Sequence, residues 1–303
     1  MANTTFAHAK AIALTDYLPA FRQSQKQQGW NWQQFTTMKS TKRATEQVYS
    51  TAGLGVARRT DELEPIYYAD VSELDAISFV VYKYTLASMW SHELLSDQWH
   101  SKDLFKDAGS SAGDSHRFAK DAAVAAIFNN AFSSSYPVDP NGSAAALCDS
   151  HTTKGGTTFD NDLTPASITY DNFWLMYQHF QTSLYSQDDL YLSDEPGWIV
   201  YHPSKEKQVQ TILKSSLEPG TGDNDKNLLK SVVTPVPCRH LTSTTAWFIL
   251  GKRFKNDLIW YTREGVRFEM EKDFDRMGTK HRSFQRFAVG ARDYTYIVGN
   301  PGS

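Results

Sequence analysis

Residues 266–300, VRFEMEKDFDRMGTKHRSFQRFAVGARDYTYIVGN, decide how this chain folds. Two runs in this stretch alternate apolar and polar residues, and the apolar members are Val266, Phe268, Met270, Phe287, Val289 and Ala291. A period of two is typical of a strand with one apolar face. Residues 273–279 supply a turn between the runs, and aromatic and β-branched residues continue to residue 298. The stretch therefore predicts long strands that another layer must cover.

The composition indicates an ordered globular chain. Its 303 residues are 40% hydrophobic and 13% aromatic, which is ample for a core. A net charge of −3 argues against binding nucleic acid by bulk attraction to phosphates, so we expect any contact with DNA to be diffuse or local. No apolar run reaches the roughly 20 residues that span a bilayer. Residues 1–26 lack a secretion signal, so we expect a chain made and used in a cytoplasm.

The N-terminal part predicts a docked helix followed by a projecting ribbon. Residues 5–20 form an amphipathic helix of the kind that packs on a neighbouring element. Residues 36–59 are polar, with glycines at their centre that favour a turn. The run ISFVVYKYTL, residues 77–86, is a strand by its alternation and its aromatic and β-branched content. An extended hairpin over about residues 46–86 accounts for these features.

A long helix is predicted over residues 97–132. Its apolar positions at helical spacing are Phe118, Ala122, Ala125, Phe128 and Phe132, whereas Lys120 and Asp121 lie off that stripe. Residues 109–113 (GSSAG) predict a kink or break, because glycine costs about 1 kcal/mol relative to alanine inside a helix.

Residues 161–250 predict an α/β region. The sequence indicates a helix that opens near Thr164 and Pro165, with Ser167 and Thr169 nearby, and a second helix over residues 204–214. Strands are predicted over residues 197–201, 228–236 and 246–250.

The residues that could carry chemistry are few. Cys148, His151, Cys238 and His240 could form a zinc site, but the one-residue spacing of the second pair is not a common zinc geometry. Cys148 with His151 and Asp149 could form a nucleophile, but no orienting group or oxyanion motif accompanies them. The oxygen-rich residues 223–227 lack the glycine and terminal glutamate of a calcium loop. We therefore predict no catalytic residue, no metal and no cofactor.

Three blocks of the sequence, taken in order, resemble a known family. They are residues 129–132 with 146–161 (ALCDSHTTKGGTTFDN), residues 212–230 with 240–248, and residues 268–275 continuing through 302. They look like the major capsid proteins of tailed bacteriophages with the HK97-type fold, and most closely the Mu-like major head subunits. The resemblance covers about residue 97 to the C-terminus.

The resemblance implies an α+β, HK97-like capsid fold with an assigned role for each region. These regions are an N-terminal arm (1–35), an extended loop (36–90, hairpin about 46–86), a peripheral domain (91–137 and 256–303, spine helix about 97–132) and an α/β axial domain (138–255). The implied function is self-assembly into pentamers and hexamers of an icosahedral shell around double-stranded DNA. The implied partners are further copies of the chain, a scaffold, a portal and decoration proteins, in a virion capsid assembled in the host cytoplasm.

The extended loop would lie over an adjacent subunit. Its candidate contact charges are Arg58, Arg59, Glu62 and Glu64, each pair contributing about 0–1 kcal/mol. One alternative is an encapsulin-like nanocompartment shell. A different alternative is a cysteine- or metal-dependent enzyme that uses Cys148.

Overall fold

The computed structural model describes residues 7, 9–26, 29–97, 102–192, 194–220 and 225–303. Parts of several predicted segments lie outside the described residues: residues 5, 6 and 8 of the N-terminal helix, 98–101 of the long helix and 223–224 of the oxygen-rich loop. Elements of the first half are α1 (residues 9–26, π-helical over Ala13–Tyr17 and α-helical over Leu18–Lys26), β1 (Thr37–Ser40), β2 (Thr45–Val48), β3 (Ile77–Val80), β4 (Tyr82–Ser91), α2 (His92–Asp97) and α3 (Lys102–Asn129).

The second half of the chain continues with shorter elements and then two long strands. They are β5 (Ser150–Thr152), β6 (Thr158–Asp160), α4 (Tyr170–Thr182), β7 (Pro196–Tyr201), α5 (Glu206–Lys214), β8 (Thr234–Pro237), β9 (Trp247–Gly251), β10 (Leu258–Asp273), β11 (Gly278–Ala291) and β12 (Ile297–Asn300). Short 3-10 helices cover Trp32–Phe35, Pro203–Lys205 and Lys252–Asn256.

The predicted strand pair forms the centre of the first sheet, whose order is β1-β10-β11-β4. Strands β10 and β11 run antiparallel from Leu258↔Ala291 to Asp273↔Gly278, so the predicted turn is confirmed. The pair begins earlier than predicted, because β10 already starts at Leu258. Val266, Phe268 and Met270 pack against a cluster that includes residues of α1, which supplies the covering layer that the alternation required.

Aromatic stacking fixes the core side of this sheet. Phe287 of β11 lies between Trp260, at a ring-centroid distance of 4.3 Å, and Tyr84, also at 4.3 Å. Trp32 stacks on the same Trp260 at 4.8 Å. The opposite face is also covered locally, since Ala288 is buried in a cluster that includes Phe79. Offset stacks of this kind add about 0.5–1.5 kcal/mol each beyond the buried area.

The segment predicted as one strand over residues 77–86 divides at Val81. Strand β3 pairs with β2, whereas β4 pairs with β11 in the first sheet. The hairpin stem therefore ends at Val80, and the predicted limit at Leu86 is wrong. The change of partner occurs where the backbone N–H of Val81 donates to the carbonyl of Ala44 at 2.9 Å, and the Val81 side chain is buried.

The long helix is continuous from Lys102 to Asn129, so the predicted break at residues 109–113 is wrong. Gly109 and Gly113 allow α1 and α3 to cross in close contact. A Cβ at Gly109 would overlap the backbone carbonyl of Tyr17, and a Cβ at Gly113 would lie 2.6 Å from the carbonyl oxygen of Phe21. Helix α1 thus packs backbone against backbone on α3, which the helix propensity of glycine does not reveal.

The predicted apolar stripe of this helix is partly wrong. Phe118 is 50% exposed and Ala122 is exposed, whereas Asp121 is 3% exposed. Burial of Asp121 is possible because its Oδ1 accepts a hydrogen bond from Trp32 Nε1 at 2.8 Å. The buried residues of the helix include Phe105, Ala112, His116, Val124, Ala125 and Phe128.

The second sheet has the order β12-β9-β7-β8 and lies in the main core. Its central strand β9 is buried at every position. The C-terminal strand β12 pairs with β9 and not with β11, so the last residues of the 266–300 stretch cross into another sheet. The predicted strands at 197–201 and 246–250 and the helix at 204–214 are confirmed within one or two residues.

Two predicted boundaries in this region are wrong. The first helix begins at Tyr170, not near Thr164, because the Thr169 side chain caps it by accepting a hydrogen bond from the backbone N–H of Asn172 at 3.3 Å. The strand predicted over residues 228–236 is shorter, since β8 covers Thr234–Pro237 and turns precede it.

Buried carboxylates occupy the crossing between the two sheets. Asp257 Oδ1 accepts hydrogen bonds from Arg292 Nε at 3.1 Å and Nη2 at 2.5 Å. Burial raises the pKa of Asp257 to about 6, against the opposing effect of Arg292. Burial and then the neighbouring Asp257 raise the pKa of Asp293 to about 7, although Asp293 accepts a hydrogen bond from the backbone N–H of Tyr294 at 2.7 Å.

The helix crossing predicts that Gly109→Ala destabilises the protein. Alanine favours an isolated helix by about 1 kcal/mol, but here its methyl group meets the backbone of Tyr17. We expect a net loss of about 1–3 kcal/mol in the free energy of unfolding, measured by denaturant titration. Ser111→Ala, at an exposed position of the same helix, is the control. An unchanged or higher stability of the Gly109 variant would show that the two helices are not in close contact.

Because Asp293 is a buried carboxylate between the two sheets, we predict that Asp293→Asn stabilises the protein at neutral and higher pH. A carboxyl with a raised pKa in the fold favours folding at low pH and loses that contribution as the pH rises from about 4 through about 7. We expect the variant to be more stable by about 1–3 kcal/mol at pH 8, with the difference shrinking toward pH 4. Asp275→Asn in the exposed turn is the control. A difference independent of pH would contradict this assignment.

Candidate functional site

The ribbon, defined as residues 52–72, projects from the hairpin stem. An isolated bridge between Thr51 and Glu73 closes its base. The backbone N–H of Ala52 also donates to the carbonyl of Ser72 at 3.0 Å. Beyond this base the ribbon forms no strand and most of its side chains are exposed. Its position follows from the β2–β3 pairing, which carries the chain away from the first sheet.

The predicted contact charges lie in this ribbon and interact locally. Arg58 places its guanidinium 3.9 Å from the ring centroid of Tyr67. Arg59 forms an ion pair with Asp61 at 3.4 Å, with both side chains largely exposed. The backbone N–H of Asp61 donates to Glu64 Oε2 at 3.2 Å, and Glu62 is exposed. These contacts shape the ribbon, and the part played by the four residues between subunits stays a prediction.

Exposed apolar side chains are the more telling feature of the ribbon, and sequence reasoning gave them no role. Leu63 is 99% exposed and Tyr68 is 85% exposed. The other exposed large apolar residues of the ribbon are Leu54, Val56, Ile66, Tyr67 and Val71. Large apolar side chains concentrated on one exposed segment are typical of a binding surface. The run Ile66-Tyr67-Tyr68 was the available signal, but periodicity cannot tell an exposed run from a buried one.

The candidate cysteine chemistry finds no support in the environment of the thiols. Burial, and then the nearby Asp162 and Asp149, raise the pKa of Cys148 well above its usual range. Burial raises the pKa of Cys238 to about 12. Both thiols are therefore protonated and poor nucleophiles at neutral pH.

The candidate histidines contact other side chains within the fold. His151 is fully buried and stacks on Tyr294 at a ring-centroid distance of 3.6 Å. His240 Nε2 lies 3.9 Å from a carboxylate oxygen of Asp121 on the long helix. Over the part of the chain that the structure describes, no group of three or more histidine, cysteine and acidic side chains is placed to hold a metal ion. No helix of that same part is long and apolar enough to cross a membrane.

Comparison with solved structures identifies the fold as that of phage capsids. The capsid of cyanophage P-SCSP1u matches with a TM-score of 0.63 at 10% identity, over 91% of this chain and 89% of that chain. The capsid of Myoviridae phage XM1 matches with a TM-score of 0.52 at 10% identity, over 92% and 94% of the two chains. A virus-like particle from Pyrococcus furiosus matches with a TM-score of 0.57 at 7% identity, over 94% and 97%.

A family model also connects this sequence to phage capsids, although no curated protein sequence matches the chain. The model, described as "Phage capsid protein", matches residues 75–300, which include the long helix, the second sheet and every strand of the first sheet except β1. That span is well over half of the 303 residues. The chain therefore belongs to the phage capsid protein family.

Proposed function

We propose that this chain is the major capsid protein of a tailed bacteriophage and self-assembles into pentamers and hexamers of an icosahedral shell. The exposed apolar ribbon carries the proposal, because a chain that stays alone gains nothing from exposing residues such as Leu63 and Tyr68. The similar chains come from capsids and from a virus-like particle, and the family match agrees with this role. Structural proteins of this family need no catalytic residue, consistent with two buried, protonated thiols.

The proposal assigns HK97-type roles to the regions of the chain. Residues 1–35 are the N-terminal arm and residues 36–90 the extended loop. Residues 91–137 and 256–303 form the peripheral domain around the long helix, and residues 138–255 form the axial domain. We further propose that the nearest relatives are the Mu-like major head subunits.

The proposed shell encloses packaged double-stranded DNA in the virion and is assembled in the host cytoplasm. A scaffold, a portal and decoration proteins are the proposed partners besides further copies of the chain. The net charge of −3 fits diffuse contacts with DNA and not a concentrated basic surface.

An encapsulin-like nanocompartment is the second candidate, because the fold also matches a virus-like particle over 94% of the chain. The family match favours the phage capsid. The contents of purified shells distinguish the two: a shell filled with DNA supports the capsid, and a shell that encloses cargo protein supports the nanocompartment.

The decisive experiment expresses the full chain, with and without the proteins encoded beside its gene, and examines the particles by electron microscopy. We expect uniform closed shells. We expect the ribbon variant Leu63→Ser, Ile66→Ser and Tyr68→Ser to form no shells while keeping its circular dichroism and unfolding midpoint. A surface substitution usually shifts stability by about 0.5 kcal/mol or less, so a loss of shells at an unchanged unfolding midpoint would be a loss of contacts between subunits.

A charge variant is the matched comparison within the same ribbon. Replacing Arg58, Arg59, Glu62 and Glu64 by alanine removes the predicted contact charges and leaves the apolar residues in place. We expect this variant to assemble with reduced yield, since exposed ion pairs contribute about 0–1 kcal/mol each. Normal shells from the apolar variant would remove the ribbon from the interface, and discrete small oligomers from the native chain under every condition would contradict the capsid assignment.

A further inference from the structure

Helix α1 lies in a groove formed by the long helix α3 and the strands β4, β10 and β11. Its buried side chains follow helical spacing at Ala13, Tyr17, Phe21 and Ser24. Tyr17 and Phe21 belong to a cluster with Trp90 and Phe105 that is separate from the main core. The helix can therefore leave its groove without opening the main core.

Two buried histidines lie under the two aromatic side chains of α1. The Tyr17 ring meets His281 of β11 edge to face, at a ring-centroid distance of 5.2 Å. The Phe21 ring meets His116 of α3 in the same manner at 5.9 Å. Each histidine also contacts a hydroxyl group: His281 Nε2 lies 2.6 Å from Ser88 Oγ, and His116 Nε2 lies 2.8 Å from Ser283 Oγ.

The surroundings of His281 disfavour a charge. Helix α1 contributes the phenol of Tyr17, whose pKa burial raises to about 12, β4 contributes Ser88 and Trp90, and β10 contributes Phe268. The adjacent charged residues of β11 are exposed and turn away, with Lys280 paired to Asp273 and Arg282 paired to Glu269. Burial lowers the pKa of His281 to about 4.

The surroundings of His116 are similarly unfavourable to a proton. Helix α1 contributes Phe21 and also Ser24, which donates to Asp114 Oδ1 at 2.6 Å, while Asp114 pairs with Arg117 at 2.9 Å. Strand β11 contributes Ser283 and Gln285. Burial and then the cation of Lys120, one turn along α3, lower the pKa of His116.

We propose that α1 is an acid-released latch, in which protonation of His116 and His281 drives Tyr17 and Phe21 out of their groove. The released state accepts protons on both histidines near their ordinary pKa of about 6.5, whereas the docked state resists them. Docking is therefore unaffected above pH 6.5 and weakens as the pH falls toward 4. For His281 alone the weakening is roughly 150-fold at pH 4 and approaches roughly 300-fold at lower pH, because the pKa differs by about 2.5 and each unit is a factor of ten.

The test measures the distance between α1 and the first sheet in the full chain as a function of pH. Spin labels at Arg22→Cys and Glu271→Cys occupy exposed positions, and both native cysteines are buried. Labelled chain is diluted with unlabelled chain so that the distances are internal. We expect one short distance at pH 7.5 and a growing population of longer distances between pH 6.5 and pH 4. A second pair at Lys207→Cys and Lys230→Cys reports whether the rest of the fold stays intact.

The control is the double variant His116→Gln and His281→Gln, which cannot titrate but can still form hydrogen bonds with the two serines. We expect it to keep the short distance at pH 4. Should it fail to fold, His281→Gln alone carries the comparison, and we expect that variant to respond to acid less than the native chain. A native chain with the same short distance at pH 4 as at pH 7.5, or a glutamine variant that responds as the native chain does, overturns the proposal. The outcome does not depend on whether shells form.

Discussion

The pairing of β10 with β11 is the constraint on which the rest of the structure depends. Its sixteen and fourteen residues provide one face for the α1 cluster and, farther along, one for the main core. The stack of Trp260, Phe287 and Tyr84 holds β4 against this pair, and Trp32 stacks on the Trp260 ring. A slip of one residue would turn these rings to the opposite face, so the register is strongly specified.

The sequence predicted this pair well, because few elements besides a strand show a period of two over a long run. The sequence prediction was wrong at Gly109 and Gly113. Helix propensity indicated a break at these residues, but the helix is continuous and the glycines allow its close contact with α1. The prediction also failed at Asp121, whose burial depends on a hydrogen bond from Trp32, a residue 89 positions away. Such errors share one cause: the deciding partner is distant in sequence, and local pattern does not contain it.

The candidate site shows the same limit in another form. The ribbon was predictable as a projecting polar segment, and Arg58 and Arg59 were reasonable contact residues on charge alone. The sequence could not show that Ile66 and Tyr68 are exposed, because isoleucine is usually buried in a protein core and tyrosine is often largely buried. Their exposure becomes meaningful because both residues lie in the ribbon beyond the paired β2–β3 stem, where they remain exposed.

The division of one extended segment at Val81 has a mechanical consequence. A single residue joins β3, the return strand of the ribbon stem, to β4, which pairs with β11 along ten positions. No flexible linker separates them, so a force applied to the tip of the ribbon acts directly on a strand of the central sheet. Val81 is buried and its backbone N–H is hydrogen-bonded to the carbonyl of Ala44, so the junction between β3 and β4 is fixed at this residue. In the proposed shell, strain that neighbouring subunits apply to the ribbon would therefore reach the central sheet of the same subunit.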